Sequence, residues 1–255
     1  MLTSFRGPAA VFVLASLAFA APAAAQTVNP ADEVEAETEG PITFSANIAL
    51  TSEYRFRGVD LSGGDPAVQG GLDLAHESGF YVGTWASTLD DDTVGYGDVE
   101  LDVYGGWSGD VGEGLALDVG VIGYLYPDAG PGDFDYVEFY SSLGFTFGPA
   151  ETTVGVAYAP EQDSLGGTDN FYVYSDIGVG IPNTPVTVTG HLGYTDGFLI
   201  FTNDGDAFDW SIGAEANVYG PFTLSAAYVG AEGDIAPGAY DFVDDAFVVT
   251  LSASF

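Results

Sequence analysis

From residue 43 onward, apolar and polar residues alternate along short segments, which glycine, proline, aspartate and asparagine separate. In residues 98–108, Leu101 and Val103 alternate with Glu100 and Asp102. A period of two predicts β-strands with one apolar and one polar face, each about as long as a tilted strand that crosses a bilayer. The pattern predicts about twelve strands: residues 43–57, 67–77, 80–89, 98–108, 115–126, 134–147, 151–159, 170–181, 186–195, 208–219, 222–230 and 245–255.

The first predicted strand places Ile48, Leu50, Tyr54 and Phe56 on its apolar face. A soluble β-sandwich has the same alternation. The lengths of the connections between strands therefore have to distinguish a sandwich from a transmembrane barrel. Short linkers, such as residues 78–79 and 220–221, alternate with mostly longer ones, such as 90–97 and 231–244. Short periplasmic turns and long outer loops are typical of outer-membrane barrels. We therefore predict an all-β fold, a transmembrane antiparallel up-and-down β-barrel with both termini in the periplasm.

The two ends of the chain favour export to the cell outer membrane of a Gram-negative bacterium. Arg6, an apolar run and an Ala-x-Ala site predict a signal peptide over residues 1–25, because the run is too short to span a membrane as a helix. Residues 26–42 are acidic and predict a disordered periplasmic lead-in, so residues 43–255 form the barrel. The terminal Phe255, after alternating apolar residues, resembles the assembly signal of such barrels; an ordinary last strand is the alternative.

The composition excludes several classes of function. The chain has no cysteine, which excludes disulfides, thiolate metal sites and a lipoprotein anchor. Its 38 acidic and 3 basic residues give a formal net charge of −35, which repels nucleic acid and attracts cations. Adaptation to a salty medium explains this charge equally well.

Charged residues on the predicted polar faces are candidates to line a pore, and rings of carboxylates favour cations. Twelve strands lie between barrels that side chains fill and wide porins, so a pore would be narrow, or closed by side chains. The predicted pore-lining residues are Glu53, Arg55, Arg57, Asp73, Asp98, Glu100, Asp102, Asp118, Glu138, Asp176, Asp209 and Glu215.

Arg55 and Arg57 both fall on the polar face of the first predicted strand. One hypothesis pairs them with carboxylates in a scaffold, because an unpaired buried charge is costly. The other places them across a constriction, where opposed charges screen solutes.

Catalytic and metal sites have little support. His76 and His191 are the only histidines; His76 lies near a predicted turn, and no serine two or three residues from His191 makes an obvious dyad. Acidic clusters at residues 90–92, 204–206 and 244–245 are weak candidates for Ca²⁺. No catalytic residue, cofactor or metal is therefore expected.

Segments of the chain resemble a known family. TSEYRFRG, DPAVQGG and AHESGFY, followed by DVELDVYGGWSG and VGVIGYLYPD, resemble the TorF family of proteobacterial porins over residues 43–255. The resemblance implies an outer-membrane location, a channel and no catalytic residue.

Three functions follow as hypotheses. The first is a channel for passive diffusion of small hydrophilic solutes, leaning to cations. The second is a structural or adhesive barrel with a plugged lumen, and a hydrolase is a minor third. The expected partners are outer-membrane lipid and lipopolysaccharide, the barrel-assembly machinery and small polar solutes or cations, with no nucleic acid; a homo-oligomer is open.

Overall fold

The computed structural model describes residues 40–132, 134–233 and 240–255. The predicted signal peptide and residues 26–39 of the predicted lead-in lie outside these residues. Within the described ranges, no helix has the length and apolar character needed to cross a membrane.

Twelve strands of the described chain form a closed antiparallel barrel, as predicted. The strands are β1 (Ile42–Thr51), β2 (Arg55–Phe56), β3 (Val59–Asp60), β4 (Ala67–His76), β5 (Phe80–Thr88), β6 (Val99–Gly112), β7 (Leu115–Leu125), β8 (Tyr136–Phe147), β9 (Ala150–Gln162), β10 (Thr168–Gly180), β11 (Val186–Gly197), β12 (Asp206–Tyr219), β13 (Phe222–Glu232) and β14 (Ala246–Ser254). Around the barrel the order is β1-β14-β13-β12-β11-β10-β9-β8-β7-β6-β5-β4. The two short strands, β2 and β3, pair with each other outside this order.

The barrel closes between its first and last wall strands. β1 pairs with β4 along its whole length and with β14 on its other side, where Thr51 is opposite Thr250. Beyond β14, the backbone N–H of Phe255 donates to the carbonyl oxygen of Ala46 at 2.9 Å. The ladder at the seam therefore continues from Thr51 and Thr250 to Ala46 and Phe255.

The alternation predicted from the sequence separates the outer and inner faces of the wall. On β6, Val103 is 47% exposed, whereas Glu100 and Asp102 are 1% and 0% exposed. On β12, Ile212 is exposed on the outside and Asp209 is buried inside. An apolar outer surface with a polar interior fits a barrel surrounded by lipid.

The two ends of the barrel differ in their connections. At the short-turn end, tight turns join β4 to β5, β6 to β7, β8 to β9 and β12 to β13. At the long-loop end, the connections after β1, β5, β7, β11 and β13 are longer. A four-residue helix, α1 (Asp91–Val94), lies in the loop between β5 and β6. The connection between β9 and β10 is shorter than predicted, because both strands extend further and a 3-10 turn (Asp163–Leu165) joins them.

The prediction for the first strand is wrong at its end. β1 ends at Thr51 rather than at Arg57. Residues 52–66, here named the inserted hairpin, leave the wall, and residues 53–62 are buried in the lumen. Its strands β2 and β3 join through Arg57 and Gly58, whose φ angles of 51° and 78° suit a type I′ turn. Tyr54 and Phe56, predicted on the lipid face, are buried inside. A hairpin within the lumen is also made of strands with a period of two, so alternation does not distinguish it from the wall.

Candidate functional site

The inserted hairpin bridges the lumen from one wall to the other. At its tip, the Arg57 guanidinium donates to both carboxylate oxygens of Glu138, at 3.0 Å from Nη1 to Oε1 and 2.6 Å from Nη2 to Oε2. Glu138 lies on β8, nearly opposite β1 in the strand order. The Arg57 Cζ atom also lies 4.2 Å from the ring centroid of Tyr172 on β10. A two-pronged charge-assisted contact fixes the tip in one orientation.

A second set of contacts holds the base of the inserted hairpin. The Arg55 guanidinium contacts the carboxylate of Glu53 and donates to the carboxylate and the carbonyl oxygen of Asp244, each at 2.8 Å. The Tyr240 hydroxyl donates to the Asp60 carboxylate at 2.5 Å. Burial raises the pKa of the Glu53 carboxyl, although the charge of Arg55 acts in the opposite direction. The loop between β13 and β14 therefore holds the hairpin from the long-loop end.

Aromatic side chains fill the space between the inserted hairpin and the wall. The Tyr54 hydroxyl donates to Glu100 Oε1 at 2.7 Å, and the Tyr126 hydroxyl donates to Glu100 Oε2 at 2.9 Å. The rings of Phe56 and Tyr124 have centroids 5.7 Å apart. Tyr54 and Tyr124 are fully buried. The long-loop half of the lumen is thus packed like a protein core.

The short-turn half of the lumen is polar and more open. The Tyr104 hydroxyl donates to Asp73 at 2.5 Å, and the Tyr81 hydroxyl donates to Asp118 at 2.6 Å. Asp73 is half-buried, and the side chain of Asp176 is 23% exposed. Both carboxylates therefore keep contact with solvent.

His191 lies between two carboxylates on the inner face. Its Nδ1 is 2.6 Å from Asp176 Oδ1, and its Nε2 is 2.8 Å from Asp209 Oδ1. Its Nε2 also lies 2.9 Å from the Tyr172 hydroxyl, and Ser211 is its cross-strand neighbour on β12. His191 therefore belongs to a polar cluster with two carboxylates and a tyrosine hydroxyl.

The residues predicted to line a pore fall into three groups. One group forms the inserted hairpin, a second surrounds it on the wall, and a third lies in the short-turn half. Asp98 stands apart, because it precedes β6 and is exposed at the long-loop end. The groups are Glu53, Arg55 and Arg57; Glu100, Asp102, Glu138 and Asp209; and Asp73, Asp118, Asp176 and Glu215.

Sequence reasoning missed the residues that hold the inserted hairpin. Asp60 and Asp244 fall between the predicted strands, and the alternation does not indicate the contacts of Tyr54. A signal was present, since Arg57-Gly58 between Phe56 and Val59 fits a two-residue hairpin turn. In the described ranges, no group of three or more carboxylate or histidine side chains could hold a metal ion.

Solved structures of similar shape are porins. The NanC porin superposes with a TM-score of 0.57 at 10% identity, covering 84% of this chain and 99% of that chain. The KdgM porin gives a TM-score of 0.56 at 7% identity, covering 83% and 99%. A structure of the KdgM porin in complex with disordered oligogalacturonate gives a TM-score of 0.55 at 6% identity, covering 83% of this chain and 99% of that chain. At these identities the likeness establishes the fold alone.

Among curated protein sequences, none matches this chain. The porin-like fold implied by the TorF resemblance agrees with the solved structures, whereas the TorF name itself finds no support in these comparisons. A family model described as "Bacterial protein of unknown function (Gcw_chp)" matches residues 35–255, and the chain therefore belongs to the Gcw_chp family.

Proposed function

We propose that the protein is a porin-like channel of the outer membrane, which passes small hydrophilic solutes by passive diffusion and favours cations. The observation that carries the proposal is the acidic inner face of the short-turn half, where Asp73 and Asp176 are partly exposed, enclosed by a wall that is apolar outside. Lipid and lipopolysaccharide would contact that outer surface, with the short-turn end in the periplasm. Phe255 would serve the assembly machinery.

The cation preference rests on the balance of fixed charges. Arg55 and Arg57 are neutralised by carboxylates of the hairpin, the wall and a loop. The carboxylates Asp73, Asp118 and Asp176 contact tyrosine hydroxyls or His191 and meet no lysine or arginine in the described ranges. Such a lumen attracts cations and repels anions. The KdgM structure with oligogalacturonate concerns an acidic sugar, whereas this lumen suits neutral or cationic solutes.

The inserted hairpin would set the width of the pore. The ion pairs of Arg55 and Arg57 support the hypothesis of a scaffold, because both guanidinium groups are engaged within the protein. Solutes would pass beside the hairpin, so small ions and small polar molecules are the expected cargo.

Planar bilayers test this function directly. Purified, refolded protein should give small stepwise increases in conductance, and under a salt gradient the reversal potential should have the sign of cation preference. Repeated insertion without steps would refute the channel. An anion-selective reversal potential would refute the charge argument and leave the fold untouched.

A plugged structural or adhesive barrel is the second candidate. It is favoured by the complete burial of Tyr54 and the wall-to-wall span of the inserted hairpin. A chain that is silent in bilayers, but conducts once the hairpin is removed, would identify this second function. Catalysis forms no part of either proposal, because His191 is engaged by carboxylates on both ring nitrogens.

A further inference from the structure

The carboxylate of Asp102 differs from its neighbours in the long-loop half. Asp102 is fully buried, and neither carboxylate oxygen has a hydrogen-bond partner in the part of the chain that the structure describes. Glu100, two residues away on the same face, accepts from two tyrosine hydroxyls. Glu138 accepts from Arg57. Asp102 is thus a buried carboxylate whose charge the described residues leave uncompensated.

The described residues have no basic side chain to spare for Asp102. Of the three basic residues of the chain, Arg6 lies outside the described ranges, Arg55 contacts Glu53 and Asp244, and Arg57 contacts Glu138. An unpaired carboxylate in a buried site is costly, so it takes up either a proton or a cation from solution.

The surroundings of Asp102 favour a cation. In the sheet register, Asp102 lies between Trp85 on β5 and Tyr124 on β7. The Trp85 ring centroid is 5.6 Å from that of Tyr54 on the inserted hairpin. Aromatic faces attract cations, and the carboxylate of Glu100 adds negative charge on the same wall.

The cation is expected to be monovalent. Ca²⁺ takes six to eight oxygen ligands and Mg²⁺ demands a near-octahedral set. The described residues offer no cluster of three or more carboxylate or histidine side chains for such an ion. A single carboxylate beside aromatic rings suits an alkali-metal or ammonium ion.

We propose that the Asp102 carboxylate, which lies between Trp85 and Tyr124 on the inner face of the long-loop half, binds a monovalent cation. The site deepens the proposed function and rests on it, since it adds a cation-binding position in the long-loop half to the short-turn carboxylates that set the cation preference.

Thermal unfolding tests the site. The melting temperature of the intact refolded barrel is measured in Rb⁺ and in N-methyl-D-glucamine, at equal ionic strength and pH. A ligand that binds the folded state raises the melting temperature. We expect Rb⁺ to raise it for the wild-type protein and for Asp92→Asn, which removes a carboxylate of the exposed helix α1. The increase should vanish in Asp102→Asn.

The absence of an Rb⁺ effect on the wild-type protein would overturn the proposal, and so would an equal effect on Asp102→Asn. Asp102→Ser provides a second variant if the asparagine variant does not fold. The measurement does not depend on conduction, so a barrel that is silent in bilayers but loses its Rb⁺ effect in Asp102→Asn would refute the channel and retain the site.

Discussion

The two halves of the lumen are built from the same alternating strands, yet they differ in what fills them. In the long-loop half, Tyr54, Arg55 and Asp60 of the inserted hairpin are buried against the wall. In the short-turn half, Asp73 and Asp176 keep part of their exposure. The strands thus determine the barrel, and one connection between two strands determines how much of it is open.

The difference separates two properties of a pore. In the proposed channel, size selection would belong to the long-loop half, where the inserted hairpin reaches Glu138 on the far wall. Charge selection would belong to the short-turn half, where Asp73 and Asp118 accept hydrogen bonds from tyrosine hydroxyls. Variants in one half should therefore change one property and leave the other nearly intact.

The largest expected effect in the long-loop half comes from Arg57→Met. The substitution leaves the Glu138 carboxylate buried without its partner, which typically costs about 3–5 kcal/mol. We expect a loss of this order in the free energy of unfolding, measured by reversible denaturation in lipid vesicles.

The double variant Arg57→Met with Glu138→Gln is the matched control. It removes the charge together with its partner, so most of the lost stability should return. If the double variant is as unstable as Arg57→Met, the ion pair does not hold the hairpin tip.

A smaller effect is expected at the turn of the inserted hairpin. A Cβ atom on Gly58 would lie 2.7 Å from Ala231 Cβ, whereas one on Gly64 would meet no atom within 4 Å. Both glycines have positive φ angles, 78° and 75°, so alanine strains the backbone similarly at both. Gly58→Ala should therefore unfold more easily than Gly64→Ala, by about 1–3 kcal/mol of overpacking.

Denaturation of the two alanine variants under identical conditions measures this difference. Equal stabilities would mean that the hairpin tip does not pack against the wall formed by β12 and β13.

The smallest expected effect concerns charge in the short-turn half. Neutralising Asp73, Asp118 and Asp176 with asparagine should lower the cation-to-anion permeability ratio a few-fold, because these carboxylates contribute the fixed negative charge there. The single-channel conductance should stay of the same order, since the inserted hairpin is unchanged. Reversal potentials under a salt gradient give the ratio.

Asp91→Asn with Asp92→Asn, in the exposed helix α1, provides the control for surface charge. A permeability ratio that falls as much in this control as in the lumen variant would place the selectivity at the loops.

The sequence alone predicts the wall of the barrel well. Leu101 and Val103 alternate with Glu100 and Asp102, and a period of two with one buried face fixes which side chains point inward. The strand count follows from the same rule, because turn residues separate the segments.

The inserted hairpin and its partners could not be predicted in the same way. Arg57 and Glu138 lie 81 residues apart in the chain, and nothing in the alternation indicates that they meet. This contact depends on barrel closure and on which loop turns inward, and both are tertiary properties. The contacts of His191 are closer in the chain, since Asp176 is its partner across the β10–β11 hairpin and Asp209 lies on the next strand, β12.

The most direct test of the central claim, that the inserted hairpin sets the width of the pore, is the single-channel conductance of a variant in which a short Gly-Ser linker replaces residues 53–61. We expect stepwise conductance several-fold larger than that of the wild-type protein, with cation preference retained through the short-turn half. Equal conductance in the two proteins, or silence in both, would contradict the account.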